Sequence, residues 1–277
     1  MKKVTVAKLL KSYSIRPNKK LGQNFLSDQN ILNKLIDALD LYPDEDVLEI
    51  GSGLGVLSYH IAKHGQRILA VEKDKRLIKI AEEEFTDQPN LKFVEADFLR
   101  LDLKELLNRY HVPIKVIGNI PYYISSKIIF TLVENAPLFS LAVLTVQKEV
   151  AERMVSEPGS KDYGILSILL NSQVRVEKLF DVEPGSFMPA PEVTSSAVRI
   201  TFPTAPLFEI HNRELFKKMV KTAFNQRRKT VRNTLKIMLK NNRIKPWEAC
   251  GIDPELRPEQ ISIPQYVALA NFLNPLL

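Results

Sequence analysis

The short apolar run Val47-Leu48-Glu49-Ile50 ends in Gly51-Ser52-Gly53-Leu54-Gly55, and a carboxylate, Glu72, follows at the end of the next apolar run, twenty-one residues after Gly51. This pairing constrains the fold more than any other feature of the 277-residue chain. Glycines at a strand end let the backbone approach a ligand that a Cβ would exclude. A doubly wound α/β sheet also places an acidic residue at the end of its second strand, where it accepts both hydroxyls of a ribose. The surrounding sequence keeps the same rhythm. Apolar runs at 47–50, 67–71, 91–94, 115–117 and 141–146 alternate with helical patterns reaching His64 and covering 75–85, 125–134 and 148–155. That alternation predicts βα units and a mostly parallel sheet.

After Pro158-Gly159 the rhythm changes. A helical stretch over 165–170 leads to two β-like runs, 173–180 and 193–202, which are expected to form an antiparallel pair closing one edge of the sheet. Pro203 and Pro206 then punctuate the chain, and the remainder reads as helix over 213–223, 228–240, 246–250 and 264–273. The sequence thus predicts an α/β domain over 1–205, opening with a basic segment at 1–20, and a small all-helical domain over 206–277.

Apolar residues at 45% and charged residues at 26% exclude a disordered or collagen-like chain. No apolar run approaches a membrane span, and Lys8 and Lys11 interrupt the apolar stretch that a signal peptide needs. The single cysteine, Cys250, excludes a disulfide framework. A soluble cytoplasmic protein without membrane contact is expected.

Charge falls in blocks. Residues 1–20 carry seven Lys/Arg and no acid, and 213–245 carry twelve against the single Glu214, leaving 20 basic and 31 acidic residues elsewhere. Two basic segments flanking an acidic body suit a polyanion, because each neutralised phosphate releases counterions. No Trp- and Phe-bearing amphipathic anchor accompanies the lysines, which favours nucleic acid over an anionic membrane. Arg227, Arg228, Lys229 and Arg232 are the candidate phosphate contacts, with Arg228, Lys229 and Arg232 expected on one helix face.

The glycine spacing separates two cofactor classes. A dinucleotide fingerprint needs G-x-G-x-x-G to seat a pyrophosphate, whereas here the third glycine comes one residue early and Val56 takes its place. Gly-x-Gly-x-Gly after an acidic strand end suits S-adenosylmethionine, which has a sulfonium and an amino-acid tail but no phosphate. Asp97 follows the third strand, where a carboxylate can accept a hydrogen bond from an adenine amino group. A helix N-cap would use the same residue type.

Asn119-Ile120-Pro121-Tyr122 is the most specific signal in the chain. An exocyclic adenine amine is a poor nucleophile because its lone pair is delocalised into the ring. An enzyme that methylates it must hold the amine by its hydrogens, so that the lone pair turns toward the sulfonium. The side-chain oxygen of Asn119 and the carbonyl of Ile120 can accept those hydrogens, Pro121 fixes the turn, and Tyr122 offers a flat face to an extruded base. A strand-ending β-turn alone would also use Asn and Pro.

At this point the chain resembles a known family over nearly its whole length. Gly22-Gln23-Asn24-Phe25-Leu26, the 49–55 turn, Asn119-Ile120-Pro121-Tyr122 and Phe187-Met188-Pro189-Ala190-Pro191-Glu192-Val193 look like the ribosomal RNA adenine N6-dimethyltransferases. Within that group, Phe224-Asn225-Gln226-Arg227-Arg228-Lys229-Thr230-Val231-Arg232-Asn233 is similar to the helical domain of the bacterial small-subunit enzymes. The resemblance implies a Rossmann-like class I methyltransferase fold and two adjacent adenosines near the 3′ end of 16S rRNA as substrate, within the small subunit or its precursor. It further implies that Asn24 and Leu26 cover the cofactor, Gly51 lies under it, Glu72 binds its ribose and Asp97 its adenine. Asn119 would hold both cofactor and target amine, while Tyr122 and Phe187 would sandwich the target base. S-adenosylhomocysteine would be the product and a monomer the working form.

Two rival readings remain. One is a large-subunit rRNA methyltransferase conferring antibiotic resistance, against which the basic 213–245 segment argues. The other is a non-catalytic RNA-binding assembly or transcription factor of the same fold, which would not need Glu72, Asp97, Asn119, Pro121 and Tyr122 together. His60 and His64 stand four apart on one helix, but no Glu follows His60 and no third ligand is evident, so no metal is expected. Cys250 is expected to be a small buried hydrophobe.

Overall fold

The computed structural model describes residues 4–18, 21–239 and 246–274. Part of the basic N-terminal segment (Lys2, Lys3, Lys19, Lys20) and of the second basic block (Lys240, Arg243, Lys245) therefore lies outside the described residues. The chain divides into two compact units, 1–151 with 177–202, and 152–176 with 203–277. The boundary expected near 205 lies close to the seam at 202/203, but 152–176, expected in the first domain, packs within the second unit.

In the first unit α1 (Val6–Ser12) precedes β1 (Phe25–Leu26) and α2 (Gln29–Asp37), none of which the sequence reading singled out as elements. The βα alternation follows: β2 (Asp46–Ile50), α3 (Val56–Ala62), β3 (Arg67–Glu72), α4 (Lys75–Glu84), β4 (Leu91–Glu95), α5 (Leu103–Leu106), β5 (Ile114–Asn119), α6 (Ser125–Glu134) and β6 (Phe139–Gln147). The chain continues through α7 (Lys148–Met154), α8 (Ile165–Asn171), β7 (Arg175–Val182), β8 (Phe187–Met188) and β9 (Ser195–Thr201). Among the described residues, seven strands form one sheet in the order β4-β3-β2-β5-β6-β9-β7. The first five are parallel, β9 runs antiparallel to β6, and β7 lies outermost, so the expected edge pair is present.

Local chemistry explains these elements. β2 is buried along its whole length, as a strand covered on both faces must be. Asp28 caps α2 by accepting from the amides of Asn30 and Ile31, and Asp74 caps α4 by accepting from Arg76. Leu32, Leu35 and Ile36 of α2, and Leu77, Ile78, Ile80 and Ala81 of α4, turn helical stripes into the core. The strand order reverses between β2 and β5. The carboxyl ends of those two strands, at Ile50 and Asn119, therefore flank the switch point where such sheets bind ligands.

The second unit is helical, with α8 joined by α9 (Arg213–Phe224), α10 (Val231–Leu235), α11 (Pro246–Ala249) and α12 (Ile263–Leu273). Asn212 caps α9, and Ser262 with Gln265 forms a capping box on α12. Phe216, Met219, Val220, Ala223 and Phe224 line the inner face of α9, where Phe224 meets the Tyr266 ring. The helix expected over 228–240 is shorter than its pattern. Thr230 is extended (ψ 156°), α10 begins at Val231, and the amides of Val231 and Arg232 are taken by the carbonyls of Leu256 and Pro254. Arg228 and Lys229 thus sit in a turn ahead of α10 and do not share a helix face with Arg232. No helix of the described residues is long and apolar enough to cross a membrane.

Candidate active site

A cleft of about 1100 Å³ of empty space opens at the carboxyl ends of β2, β3 and β5 and is lined by residues of the first unit alone. Asn24, Leu26, Gly51, Glu72, Asp97, Asn119, Ile120, Pro121 and Tyr122 all line it. Each of the three glycines of the 51–55 turn has positive φ, yet they do different work. A Cβ on Gly55 would come within 2.7 Å of the Phe93 ring, so that glycine is needed for packing. A Cβ on Gly51 would make only ordinary contacts, with the Asn119 carbonyl oxygen at 3.7 Å and Pro121 Cδ at 3.9 Å, so packing does not require glycine there and its φ of +73° does.

Glu72 receives backbone N–H groups from Gly53 (2.9 Å), Lys73 (2.8 Å) and Asp74 (2.8 Å). Burial pushes its carboxyl upward, and these donors pull it back toward the ionised form. Glu49 is buried at the floor, accepts from the Ser58 hydroxyl, and is pushed up to about 8, first by burial and further by the nearby Glu72 charge. Asp97 is held below the usual carboxylate range by a hydrogen bond from Lys73 Nζ at 2.9 Å. It also caps the turn Phe98–Arg100 by accepting from Leu99, so a residue of the cleft lining serves as the cap.

Asn119 Nδ2 donates to the Asn24 carbonyl at 2.6 Å, which turns its Oδ1 the other way. Ile120 is buried, and Pro121 leads into the 3₁₀ turn Tyr122–Ile124. The Tyr122 hydroxyl is 2.6 Å from Ser195 Oγ at the start of β9, and burial raises its phenol. Phe187 is not brought into the cleft lining with these residues. It pairs with Leu26 in the β1–β8 ladder, is 4% exposed, and lies in the core away from the cleft lining. The amides of Ser27 and Asp28 hold that segment in place by donating to the Ser186 carbonyl. In this structure Phe187 packs in the core and is not part of the cleft lining.

Sequence reasoning missed several residues of the site. Gln23 accepts from the Asn18 amide and donates to Asp74, fastening the segment that carries Asn24. Phe98 and Tyr123 line the cleft, and each directly follows a residue that the motifs had marked. Ser52 Oγ is buried in the lining and has no hydrogen-bond partner among the described residues. His60 is half-buried with its ring held below the usual histidine range by burial, and His64 is exposed; among the described residues no group of three His, Cys, Asp or Glu could hold a metal ion. Cys250, expected to be buried, is only partly so.

In the second unit Arg227 donates to the carbonyls of Lys161 (3.1 Å) and Tyr163 (3.2 Å), and Arg232 pairs with Glu255 at 3.2 Å. Arg228 and Lys229 are exposed.

Relabelled in chain order, the sheet reads 3-2-1-4-5-7-6 and carries its cleft at the switch point, which defines a Rossmann-like class I methyltransferase domain accompanied by a helical unit. The sequence profile of the ribosomal RNA adenine dimethylase family matches residues 15–275. The chain belongs to that family. It is 40% identical over 276 residues to the ribosomal RNA small subunit methyltransferase A of Halothermothrix orenii, covering 96% of this chain and 91% of the relative. A dimethyladenosine transferase from Plasmodium falciparum superposes with a TM-score of 0.78 at 26% identity, covering 91% of this chain and 98% of its own. The 23S rRNA methyltransferase ErmE superposes with a TM-score of 0.70, also at 26% identity, covering 91% of this chain and all of its own.

Proposed function

We propose that the protein transfers methyl groups from S-adenosylmethionine to N6 of two adjacent adenosines near the 3′ end of 16S rRNA, dimethylating each during small-subunit maturation in the cytoplasm, and that it acts as a monomer. The observation that carries this reading is the Asn119–Asn24 bond, which leaves Asn119 Oδ1 as an acceptor at the end of β5 in the same cleft as Glu72 and Asp97. The 40% identity over 96% of this chain to a small-subunit methyltransferase supports the small-subunit rRNA as substrate.

The cleft fits the cofactor. Ser52 Oγ is a buried polar atom in want of a partner, Gly51 leaves space that a Cβ would fill, and Glu72 stands at the end of β3 where a ribose partner belongs. When bound, the cofactor supplies an electrophilic methyl group and leaves as S-adenosylhomocysteine. Glu72 would accept from its ribose hydroxyls and Asp97 from its adenine amine, with Asn24 and Leu26 covering it. Asn119 Oδ1 and the Ile120 carbonyl would accept the two hydrogens of the target amine and turn its lone pair toward the methyl group. Tyr122, anchored on Ser195, would stack on the target base. Orientation does most of the work, and the methylated ammonium is acidic enough to release its proton to water afterwards. Arg228 and Lys229 would meet rRNA phosphates.

Incubation with labelled S-adenosylmethionine and purified ribosomal subunits tests this reading. Label should enter small-subunit rRNA, and label confined to the large subunit would refute it.

A further inference from the structure

We propose that Tyr123 is a stacking platform for the base of the nucleotide adjacent to the target adenosine. This rests on the RNA substrate proposed above and adds to it a second base-binding position. Among the described residues, Tyr42, Val112, Tyr123, Met188, Val193 and Ile237 are the large apolar side chains left exposed, and of these only Tyr123 lines the cleft. It is 60% exposed although it directly follows the half-buried Tyr122 in the same 3₁₀ turn.

Gly22 leaves room beside its ring. A Cβ on Gly22 would lie 3.5 Å from both Cδ1 and Cε1 of Tyr123, an ordinary van der Waals distance, so one edge of the ring faces a residue that puts no side chain against it. Gly22 has φ +64°, a conformation that strains other residues, so glycine is the residue that fits there. An aromatic ring left open in this way is shaped to receive another flat ring.

The neighbouring charge points to a nucleic acid. Lys73 and Arg100 are 57% and 87% exposed and both reach toward Asp97, at 2.9 and 4.0 Å. The Lys73 ammonium also lies within electrostatic range of the Tyr123 phenol. An exposed aromatic face beside cations is the combination by which proteins hold single-stranded nucleic acid, stacking on bases while the cations follow the backbone. With Tyr122 taking the target base, the next residue along the turn is placed for the next nucleotide. Where two adenosines are adjacent, that neighbour is itself a purine with a large stacking face.

The test compares Tyr123→Ala, Tyr123→Leu and Tyr123→Trp with the wild type on small-subunit particles, measuring KM for the particle and the dissociation constant for S-adenosylmethionine. Because Tyr123 is mostly exposed, none of these changes opens a core cavity. Ala should raise the particle KM by about five- to 150-fold, the range base–aromatic stacking gives on truncation. Leu, which restores apolar bulk without a π face, should behave as Ala does, and Trp should keep the wild-type KM. Cofactor affinity should not move in any of them. A weakened cofactor with an unchanged particle KM would make the ring a cofactor lid and overturn the assignment, as would an Ala variant with wild-type values throughout. A wild-type enzyme that methylates no particle would overturn the function itself, whereas a fully active Ala variant overturns only this platform.

Discussion

The Asn119 side-chain amide donates to the Asn24 carbonyl at 2.6 Å, so a residue at the tip of β5 has its orientation set by the segment ahead of β1. Because a carbonyl can only accept, the amide nitrogen must face Asn24, and the oxygen is turned away from it. The N-terminal segment thereby orients the Asn119 side chain as well as forming part of the cleft wall.

Replacing Asn119 by Asp keeps an acceptor but sets a carboxylate oxygen against the Asn24 carbonyl. The Asp variant should lose about a hundredfold in methyl transfer, comparable to misplacing a reacting group by an ångström. Single-turnover kinetics at saturating cofactor measure this directly, and an Asp variant with the wild-type rate would show that the Asn24 bond does not orient the site.

Glu72 supports a prediction in two parts. Glu72→Ala should weaken S-adenosylmethionine binding by about 1.5–3 kcal/mol, as expected for losing a charge-assisted hydrogen bond. It also strands the amides of Gly53, Lys73 and Asp74, so its thermal midpoint should fall. Glu72→Gln retains an acceptor oxygen and should recover most of the stability but less of the affinity. Calorimetry and thermal unfolding on both variants separate ligand binding from the turn's own hydrogen bonds.

The buried Glu49 carries a pH signature. Its folded value of about 8 lies above the unfolded 4.5, so the folded state binds the extra proton between them. Its contribution to stability is complete below pH 4.5 and is lost as pH rises toward 8. Glu49→Gln, which cannot ionise, should therefore flatten the fall in stability across that window and gain on the wild type at its upper end, by a few kcal/mol. Denaturant unfolding at a series of pH values checks the slope, and parallel curves for the two proteins would contradict it.

The basic residues of the second unit separate by their partners. Arg228 and Lys229 are exposed, so replacing both by Gln should lower the slope of log affinity against log salt by about 0.7–0.9 for each phosphate no longer neutralised. Arg227 is engaged with the carbonyls of Lys161 and Tyr163, so Arg227→Gln should lower stability and leave the salt slope nearly unchanged. Filter binding to small-subunit particles at several salt concentrations distinguishes the two behaviours.

That separation also marks what sequence could and could not convey. The βα rhythm from Asp46 to Met154 was legible because buried strands and amphipathic helices each impose a period, and the strand-end positions of Gly51, Glu72, Asp97 and Asn119 followed from it. Partner choice was not legible. Whether Arg227 meets phosphate or carbonyl depends on a loop more than sixty residues away in sequence. Phe187 was placed by its motif, yet a two-residue ladder with β1, too short to leave a periodic signal, turns it into the core. The 228–240 pattern looked helical throughout because nothing local shows that the carbonyls of Pro254 and Leu256 take the first amides of α10. Residues 152–176 read as a continuation of the first domain because packing between distant segments leaves no local mark.

Mass spectrometry of rRNA identifies the product of the proposed reaction. Small-subunit particles lacking the modification, incubated with the protein and S-adenosylmethionine, should yield two adjacent N6,N6-dimethyladenosines near the 3′ end of 16S rRNA, and no such product with Asn119→Ala. Methylation of large-subunit rRNA instead, or unmodified small-subunit rRNA from a protein that binds the cofactor, would contradict the proposed activity.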